Sequence, residues 1–180
     1  MSLAVLSKIN LAQYTSWSVG GDAEFFCMPK TIDDLKEALA HAKLNKLPIT
    51  ILGGGSNVLI SDDGVPGLTI CLRHFSQITS RIENNKLYIE ALSGTGKNEL
   101  LKIFLKNKLA PALFLAGLPG DIGGGVVMNA GVAEAFAPRE FMEFVDEIQV
   151  MDFDGHVKTI DKKDLIRLEN QSSGHFANCL

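Results

Sequence analysis

The sequence predicts an α+β fold made of two small lobes that can hold one ligand between them. A strand, an amphipathic helix and a second strand follow one another near the N-terminus, strand-like runs joined by short turns dominate the later part, and each part contains one glycine-rich segment. With 180 residues, 46% of them hydrophobic, the chain can bury one good core or two small ones.

The first lobe has the pattern of a βαβ unit. Residues 23–28 are strand-like, and Thr31 then begins a helix predicted over 31–46, because an N-cap and acidic residues precede an apolar stripe at helical spacing. Residues 48–52 predict the returning strand. This unit ends at the first glycine segment.

The second lobe is rich in antiparallel signals. Residues 67–72 and 86–91 predict strands, the second after the turn formers Asn84 and Asn85. Residues 96–109 predict a second helix with a broad apolar face. Residues 144–152 and 156–160 flank Asp154-Gly155, a strong signal for a β-hairpin. Residues 166–180 are polar and weakly patterned.

The two glycine segments are residues 52–57 (LGGGSN) and 116–125 (AGLPGDIGGG). Glycine lets backbone N–H groups approach an anion with no Cβ in the way, and a helix that begins after such a turn adds its positive dipole end. One such cluster is more often a tight turn than a ligand site. Here two clusters occur, and both lie beside apolar runs that predict buried elements, at residues 49–52, 58–60 and 126–128. This pairing favours a shared phosphate-binding site, for which a dinucleotide is the natural ligand. Neither has the glycine spacing of a Rossmann site or the Gly-Lys-Ser/Thr of a P-loop.

Charge and hydropathy exclude several other functions. The net charge of −4 and the absence of a basic stripe argue against a nucleic-acid partner. No apolar stretch approaches the ~18 residues that a membrane span needs, and no targeting segment is recognisable at the N-terminus. We therefore expect a cytoplasmic protein with neither a nucleic acid nor a membrane as partner.

Cysteines and histidines give no signal for metal or triad chemistry. Cys27, Cys71 and Cys179 are widely separated, so we expect reduced thiols, with the first two as packing residues. The histidines are scattered and are predicted to pair with neither one another nor a carboxylate; they are His41, His74, His156 and His175. No metal site and no catalytic triad are predicted.

Three segments together carry a specific resemblance: 14–21 (YTSWSVGG), 52–60 (LGGGSNVLI) and 116–131 (AGLPGDIGGGVVMNAG). Over roughly residues 10–165 the chain resembles the flavin-dependent UDP-N-acetylenolpyruvoylglucosamine reductases of bacterial cell-wall synthesis. The resemblance implies the α+β, two-subdomain FAD-binding fold of the vanillyl-alcohol-oxidase/PCMH type. We divide the chain into a small βαβ FAD-binding subdomain (1–65), a larger mixed α+β FAD-binding subdomain (66–165) and an atypical tail (166–180) where a substrate domain would be expected to follow.

The resemblance also implies which residues hold FAD. The first segment would bind the pyrophosphate and the second would line the rest of the flavin site; the implied residues are Gly53, Gly54, Gly55, Ser56, Asn57, Gly117, Pro119, Gly120, Asp121, Gly124 and Asn129. Gly123 would support the turn without touching the cofactor. Ser56 and Asn129 have an alternative role as turn or cap formers, and Trp17 could pack beside FAD or in the core. FAD should be noncovalent, since neither turn holds a histidine or cysteine.

The family's reaction is a hydride relay from NADPH through FAD to UDP-N-acetylglucosamine enolpyruvate, supported by an arginine, a glutamate and a proton-donating serine. The chain departs from that pattern at the family's Tyr-Arg-x-Ser motif. Glu169 and Asn170 stand where tyrosine and arginine belong, which leaves Arg167 and Ser172 as weak catalytic candidates and the catalytic set unknown. Arg139 and Glu140 could contact a substrate phosphate or pair on the surface.

A substrate domain carrying the serine and glutamate has no room in 180 residues, so the sequence predicts a truncated or incomplete form that is inactive alone. Three explanations stay open: a fragment of a longer enzyme, a frameshifted or truncated product, or an FAD-binding module with another role. The alternative functions are a 2-hydroxy-acid oxidase type of flavoenzyme with the same fold and a non-catalytic flavin-binding module.

Overall fold

A computed structural model of the chain describes residues 3–132 and 139–165. Its main sheet has four strands in the order β1-β2-β4-β3, in which β2, β3 and β4 are parallel and β1 is antiparallel to β2. The elements up to this sheet's last strand are β1 (Leu6–Asn10), β2 (Asp22–Cys27), α1 (Ile32–Leu44), β3 (Ile49–Leu52) and β4 (Val65–Cys71). The predicted βαβ unit is therefore confirmed, with β4 inserted between its two strands.

Helix α1 begins where the sequence predicts. The Thr31 hydroxyl accepts a hydrogen bond from Asp34 N at 3.1 Å, and the Asp34 carboxylate accepts one from Thr31 N at 3.0 Å, which together form a capping box. Its apolar face covers the sheet in a core with β2 and β4; the buried residues of that core are Cys27, Leu35, Ala38, Leu39, Ala42, Leu68, Ile70, Leu72 and Phe75.

The rest of the described chain carries the second core. Its elements are β5 (Ile78–Glu83), β6 (Lys86–Ala91), α2 (Lys97–Lys106), a 3-10 helix (Ala110–Gly117), α3 (Ile122–Val127), β7 (Gly131–Val132), β8 (Arg139–Glu140), β9 (Glu147–Met151) and β10 (Val157–Asp161). Strands β5 with β6, β7 with β8, and β9 with β10 form antiparallel pairs. The core side chains are Leu100, Phe104, Ala112, Phe114, Leu115 and Phe141.

The second predicted helix and the final hairpin are confirmed with shifted ends. Helix α2 begins after Gly96 and ends at Lys106, three residues before the predicted end. The β9–β10 turn has Gly155 at φ +82°, a conformation that an L side chain rarely adopts. Strand β9 begins at Glu147 rather than at residue 144.

One expectation is wrong. Residues 58–60 do not form a buried element, because Val58 is 36% exposed and Leu59 is 76% exposed. After the first glycine segment the chain turns and bends. The division at residues 65 and 165 stays a prediction, although the sheet that contains β2 continues through β4 to Cys71.

Candidate functional site

The two glycine segments meet in the structure. A Cβ built on Gly54 would lie 3.2 Å from the Gly120 Cα, and one built on Gly120 would lie 2.8 Å from the Ser56 Oγ. A Cβ on Gly53 would lie 2.7 Å from the Asp121 Oδ2. A Cβ on Gly53 or Gly120 would displace the facing side-chain oxygen, and one on Gly54 would press against the facing backbone, so side chains at these positions would disturb the contact between the turns. The predicted convergence of the segments is therefore a property of this fold.

The first turn presents backbone donors. Gly55 has φ +72°, and its carbonyl accepts a hydrogen bond from Ser16 N at 2.9 Å. Among the described residues, no hydrogen bond is donated by the backbone N–H groups of residues 53–57. Unpaired N–H groups on a glycine turn are the donors with which proteins hold phosphate.

Asp121 organises the second turn. It is 7% exposed, and its Oδ1 accepts a hydrogen bond from Gly124 N at 2.9 Å, which caps the short helix α3. Its Oδ2 is buried and has no hydrogen-bond partner in the described part of the chain. A buried acceptor without a partner costs free energy unless a ligand supplies a donor, such as a sugar hydroxyl.

Lys97 binds backbone carbonyls at the start of the second glycine segment, and the sequence analysis did not identify this residue. Its side chain is 7% exposed, and Nζ donates hydrogen bonds to the carbonyls of Leu115 at 2.5 Å and Ala116 at 3.1 Å. Its backbone N–H binds Gly120 O at 3.3 Å. These partners lie far from Lys97 in sequence, so no local pattern predicts them.

Arg73 supports the first turn and was also missed. Its Nη2 donates to the Gly54 carbonyl at 3.0 Å and to the Tyr14 carbonyl at 2.9 Å, and its Nη1 donates to Gln13 O at 3.4 Å. Its guanidinium carbon lies 5.3 Å from the Tyr14 ring centroid. A lone arginine in the segment LRHF carries no sequence signal for this role.

The remaining predicted FAD residues lie around these turns. Asn57, Gly117, Pro119 and Gly124 are exposed. Asn129 has φ +42° just after α3, donates to Glu140 Oε2 at 2.8 Å and accepts from Met142 N at 3.1 Å, so its contacts fit the alternative of a turn former.

Gly123 fits the supporting role given to it. A Cβ there would lie 2.6 Å from the Ser93 Cβ, and its N–H binds Ser93 O at 2.8 Å. Trp17 is 68% exposed, which excludes the core alternative, while packing beside FAD stays a prediction. Arg139 pairs with Glu143 at 2.6 Å, which supports its surface role.

The weak catalytic candidates Arg167 and Ser172 lie outside the described residues, as do Glu169, Asn170 and Cys179. The expectation that no histidine pairs with a carboxylate is wrong, since His156 Nδ1 lies 3.2 Å from Asp152 Oδ2. Both side chains are exposed and belong to the β9–β10 turn, whose backbone brings them together.

Cys27 and Cys71 are buried, as expected of packing residues. Burial raises the pKa of the Cys27 thiol to about 12, with a further contribution from neighbouring Cys71. Burial also raises the pKa of Cys71, partly offset by hydrogen bonding and charge from Arg73. Both thiols are therefore protonated and unreactive near neutral pH.

Other parts of the molecule offer weaker features. A surface groove of about 370 Å³ lies away from the glycine turns and is lined by Leu39, Lys43, Leu47, Ile49, Phe153 and Asp154. Within the described ranges, no three His, Cys, Asp or Glu side chains are grouped to hold a metal ion. None of the helices described is both long and apolar enough to cross a membrane.

The site fits the diphosphate of FAD on two observations of this structure. The two glycine turns approach each other closely, and within the described residues the N–H groups of the first turn donate no hydrogen bond and can face a ligand. Beside the first turn, the buried Asp121 Oδ2 is an acceptor without a partner among the described residues. A bound FAD would thus be held mainly by backbone amides.

Comparison with known proteins agrees with this fit. Residues 23–161 match the family model described as FAD binding domain, so the chain belongs to that family. Within it, the chain is similar to UDP-N-acetylenolpyruvoylglucosamine reductases, which confirms the resemblance found in the sequence. It is 36% identical over 168 residues to the reductase of Prochlorococcus marinus (strain NATL2A), covering 91% of this chain and 54% of that protein. It is 34% identical over 177 residues to the reductase of Moorella thermoacetica, covering 98% of this chain and 56% of that protein. The chain thus spans about half the length of these relatives.

Solved structures confirm the fold. A solvent-stable cholesterol oxidase superposes with a TM-score of 0.63 at 16% identity, covering 90% of this chain and 34% of that one. A p-cresol methylhydroxylase superposes with a TM-score of 0.59 at 13% identity, covering 89% of this chain and 30% of that one. The predicted FAD-binding fold of the vanillyl-alcohol-oxidase/PCMH type is confirmed.

Proposed function

We propose that the chain is the FAD-binding part of an NADPH-using reductase that acts on UDP-N-acetylglucosamine enolpyruvate in peptidoglycan precursor synthesis. The observation that carries the proposal is the close approach of the two glycine turns at Gly53 and Asp121. Among the described residues, the backbone N–H groups of the first turn donate no hydrogen bond. The similarity to UDP-N-acetylenolpyruvoylglucosamine reductases supports the substrate. A cytoplasmic location and NADPH as the reductant follow from that similarity as parts of the same proposal.

The chain's own residues bind and orient the cofactor. The amides of Gly53, Gly54, Gly55, Ser56 and Asn57 would hold the pyrophosphate, and Gly117, Pro119, Gly120, Asp121, Gly124 and Asn129 would line the remaining contact. FAD, when bound noncovalently, supplies the hydride-transfer chemistry. The Asp121 Oδ2 would accept a hydrogen bond from a ligand hydroxyl, which would satisfy its unpaired acceptor.

The Arg, Glu and Ser functions of the family's reaction are not assigned to any described residue. Arg139, the charged candidate nearest the second turn in sequence, is engaged with Glu143. We therefore propose that the 180-residue chain binds FAD without turning over the enolpyruvyl substrate.

Visible absorbance of the purified chain with added FAD, after gel filtration, tests the binding proposal. Retention of one flavin per chain supports it, and absence of retained or titratable flavin refutes it. Acid precipitation should release the flavin into the supernatant, whereas flavin in the pellet would refute noncovalent attachment. NADPH oxidation with saturating substrate and FAD under anaerobic conditions tests the rest: a substrate-dependent rate of ~1 s⁻¹ or more would place catalytic groups within this chain.

A further inference from the structure

The Arg73 side chain joins the first glycine turn to the segment that packs under it. Its guanidinium binds the carbonyls of Gln13, Tyr14 and Gly54, and the Tyr14 ring lies against Phe26 with a centroid distance of 4.7 Å. Phe26 is fully buried in β2. The turn is therefore connected through Arg73 to the 3-10 helix Leu11–Tyr14, and through the Tyr14 ring to buried Phe26 of β2.

These contacts fix the direction of two peptide groups. In a trans peptide the carbonyl of one residue and the N–H of the next point to opposite sides, and the described chain contains no cis peptide. The Gly54 carbonyl points to Arg73, so the Gly55 N–H points away from it. The Gly55 carbonyl points to Ser16 N, so the Ser56 N–H points away from that segment.

Arg73 also brings a positive charge to the first glycine turn. In the part of the chain that the structure describes, no Asp or Glu oxygen lies within 4.0 Å of its guanidinium, whose partners are carbonyl oxygens. Arginine stays protonated in proteins, and carbonyl dipoles offset only part of its charge. An anion bound at the turn would complete that compensation.

We propose that Arg73 is a positioning residue for the diphosphate of FAD: it holds the Gly54 carbonyl so that the Gly55 N–H faces the ligand, and it sets a positive potential at the turn. The inference rests on the proposed function, because it assumes that FAD is the ligand. Because the proposed role concerns the phosphates of FAD, substitution of Arg73 should weaken the binding of FAD more than the binding of riboflavin, which has no phosphate.

The experiment compares Arg73→Gln and Arg73→Lys with the unaltered chain. The control is Arg81→Gln, which removes an arginine that likewise stacks on a tyrosine, Tyr88, at 5.0 Å and is remote from the glycine turns in sequence. For each variant we would measure the Kd of FAD and of riboflavin by fluorescence titration at several salt concentrations, and the melting temperature without ligand. Arg73→Gln should weaken FAD binding about tenfold or more, as loss of charge-assisted hydrogen-bond geometry predicts.

In Arg73→Gln, the Kd of riboflavin should change less than about threefold, and the Kd of FAD should depend less on salt concentration. Arg81→Gln should leave both Kd values unchanged. Arg73→Lys keeps the charge but not the fork, so it should retain the salt dependence and bind FAD with intermediate affinity. Unchanged FAD affinity in Arg73→Gln would overturn the inference, as would equal losses for FAD and riboflavin, which would mark a merely structural role. If Arg73→Gln does not fold, the same comparison in Arg73→Lys decides. Failure of the unaltered chain to bind FAD would instead refute the proposed function.

Discussion

The carboxylate of Asp121 lies directly against Gly53, a residue 68 positions earlier in the sequence. Both carboxylate oxygens are close to the position of the missing Cβ, at 2.7 Å for Oδ2 and 3.1 Å for Oδ1. Since Oδ1 also caps α3, the geometry of the second turn depends on the absence of a side chain at Gly53. The two glycine segments therefore form one unit rather than two independent turns.

Gly53→Ala should destabilise the fold by about 1 to 2 kcal/mol, because the new methyl would displace a buried capping carboxylate. Urea unfolding measures the change. Gly117→Ala is the matched control, since a Cβ at Gly117 would meet only Val132 Cγ2, at an ordinary contact distance of 3.7 Å. Equal effects of the two substitutions would show that the contact between Gly53 and Asp121 does not constrain the turns.

Asp121→Ala should lower the free energy of unfolding by about 1 kcal/mol through loss of the cap on Gly124 N. Asp121→Asn keeps a capping oxygen, so its stability should stay within about 0.5 kcal/mol of the unaltered chain. Its one oxygen is used by the cap, so an amide donor replaces the Oδ2 acceptor, and FAD should bind several-fold more weakly if a ligand hydroxyl donates to Oδ2. Unchanged or tighter FAD binding in Asp121→Asn would show that the ligand does not use Oδ2.

Much of the fold could be predicted because its signals are local. Thr31 and Asp34 form the capping box that marks the start of α1, and Asp154-Gly155 marks the last hairpin. Strands β1 and β5 were not predicted, because most of their residues are exposed and no alternation of apolar and polar side chains results. The sequence does not predict helix α3, because three of its six residues are glycine, which disfavours a helix.

The sequence predicts the two backbone turns of the candidate site but not the two side chains, Arg73 and Lys97, that hold those turns in place. Glycine spacing showed the two turns, whereas Arg73 and Lys97 act on carbonyls at sequence separations of 18 to 60 residues. Val58 and Leu59 looked buried because they are apolar and follow a core strand. Their exposure shows that hydrophobicity alone does not locate a residue beside a turn.

Gly54→Asp should weaken FAD binding by about 2 to 4 kcal/mol, because a carboxylate would face the pyrophosphate at short range in a partly shielded site. Gly54→Ala should have a smaller effect, from crowding of the Gly120 Cα alone. Ser80→Asp adds the same charge at an exposed position of β5 that is remote from both glycine turns in sequence, and it should bind FAD normally. Titration of FAD fluorescence measures all three. Unaltered affinity in Gly54→Asp would place the pyrophosphate elsewhere.

The buried thiol of Cys27 should make stability fall at high pH. Its pKa is raised from 9.0 to about 12 in the fold, so the folded state holds the proton more tightly than the unfolded chain. This stabilisation is complete below about pH 9 and is lost as the pH rises toward 12, by at most about 1.4 kcal/mol per pH unit. Urea unfolding under reducing conditions, compared with Cys27→Ala, isolates the thiol. Parallel pH profiles of the two proteins would contradict this cause.

The most direct test of the account is a ¹H–¹⁵N correlation spectrum of the 180-residue chain with and without saturating FAD. If the two glycine turns hold the diphosphate, the largest amide shifts should fall on residues 53–57 and 117–124. Gly55 and Ser56 should shift most, because their N–H groups point away from Arg73 and Ser16 and donate no hydrogen bond in the part of the chain that the structure describes. Shifts centred instead on the groove beside Leu39 and Phe153, or no shifts at saturating FAD, would contradict it.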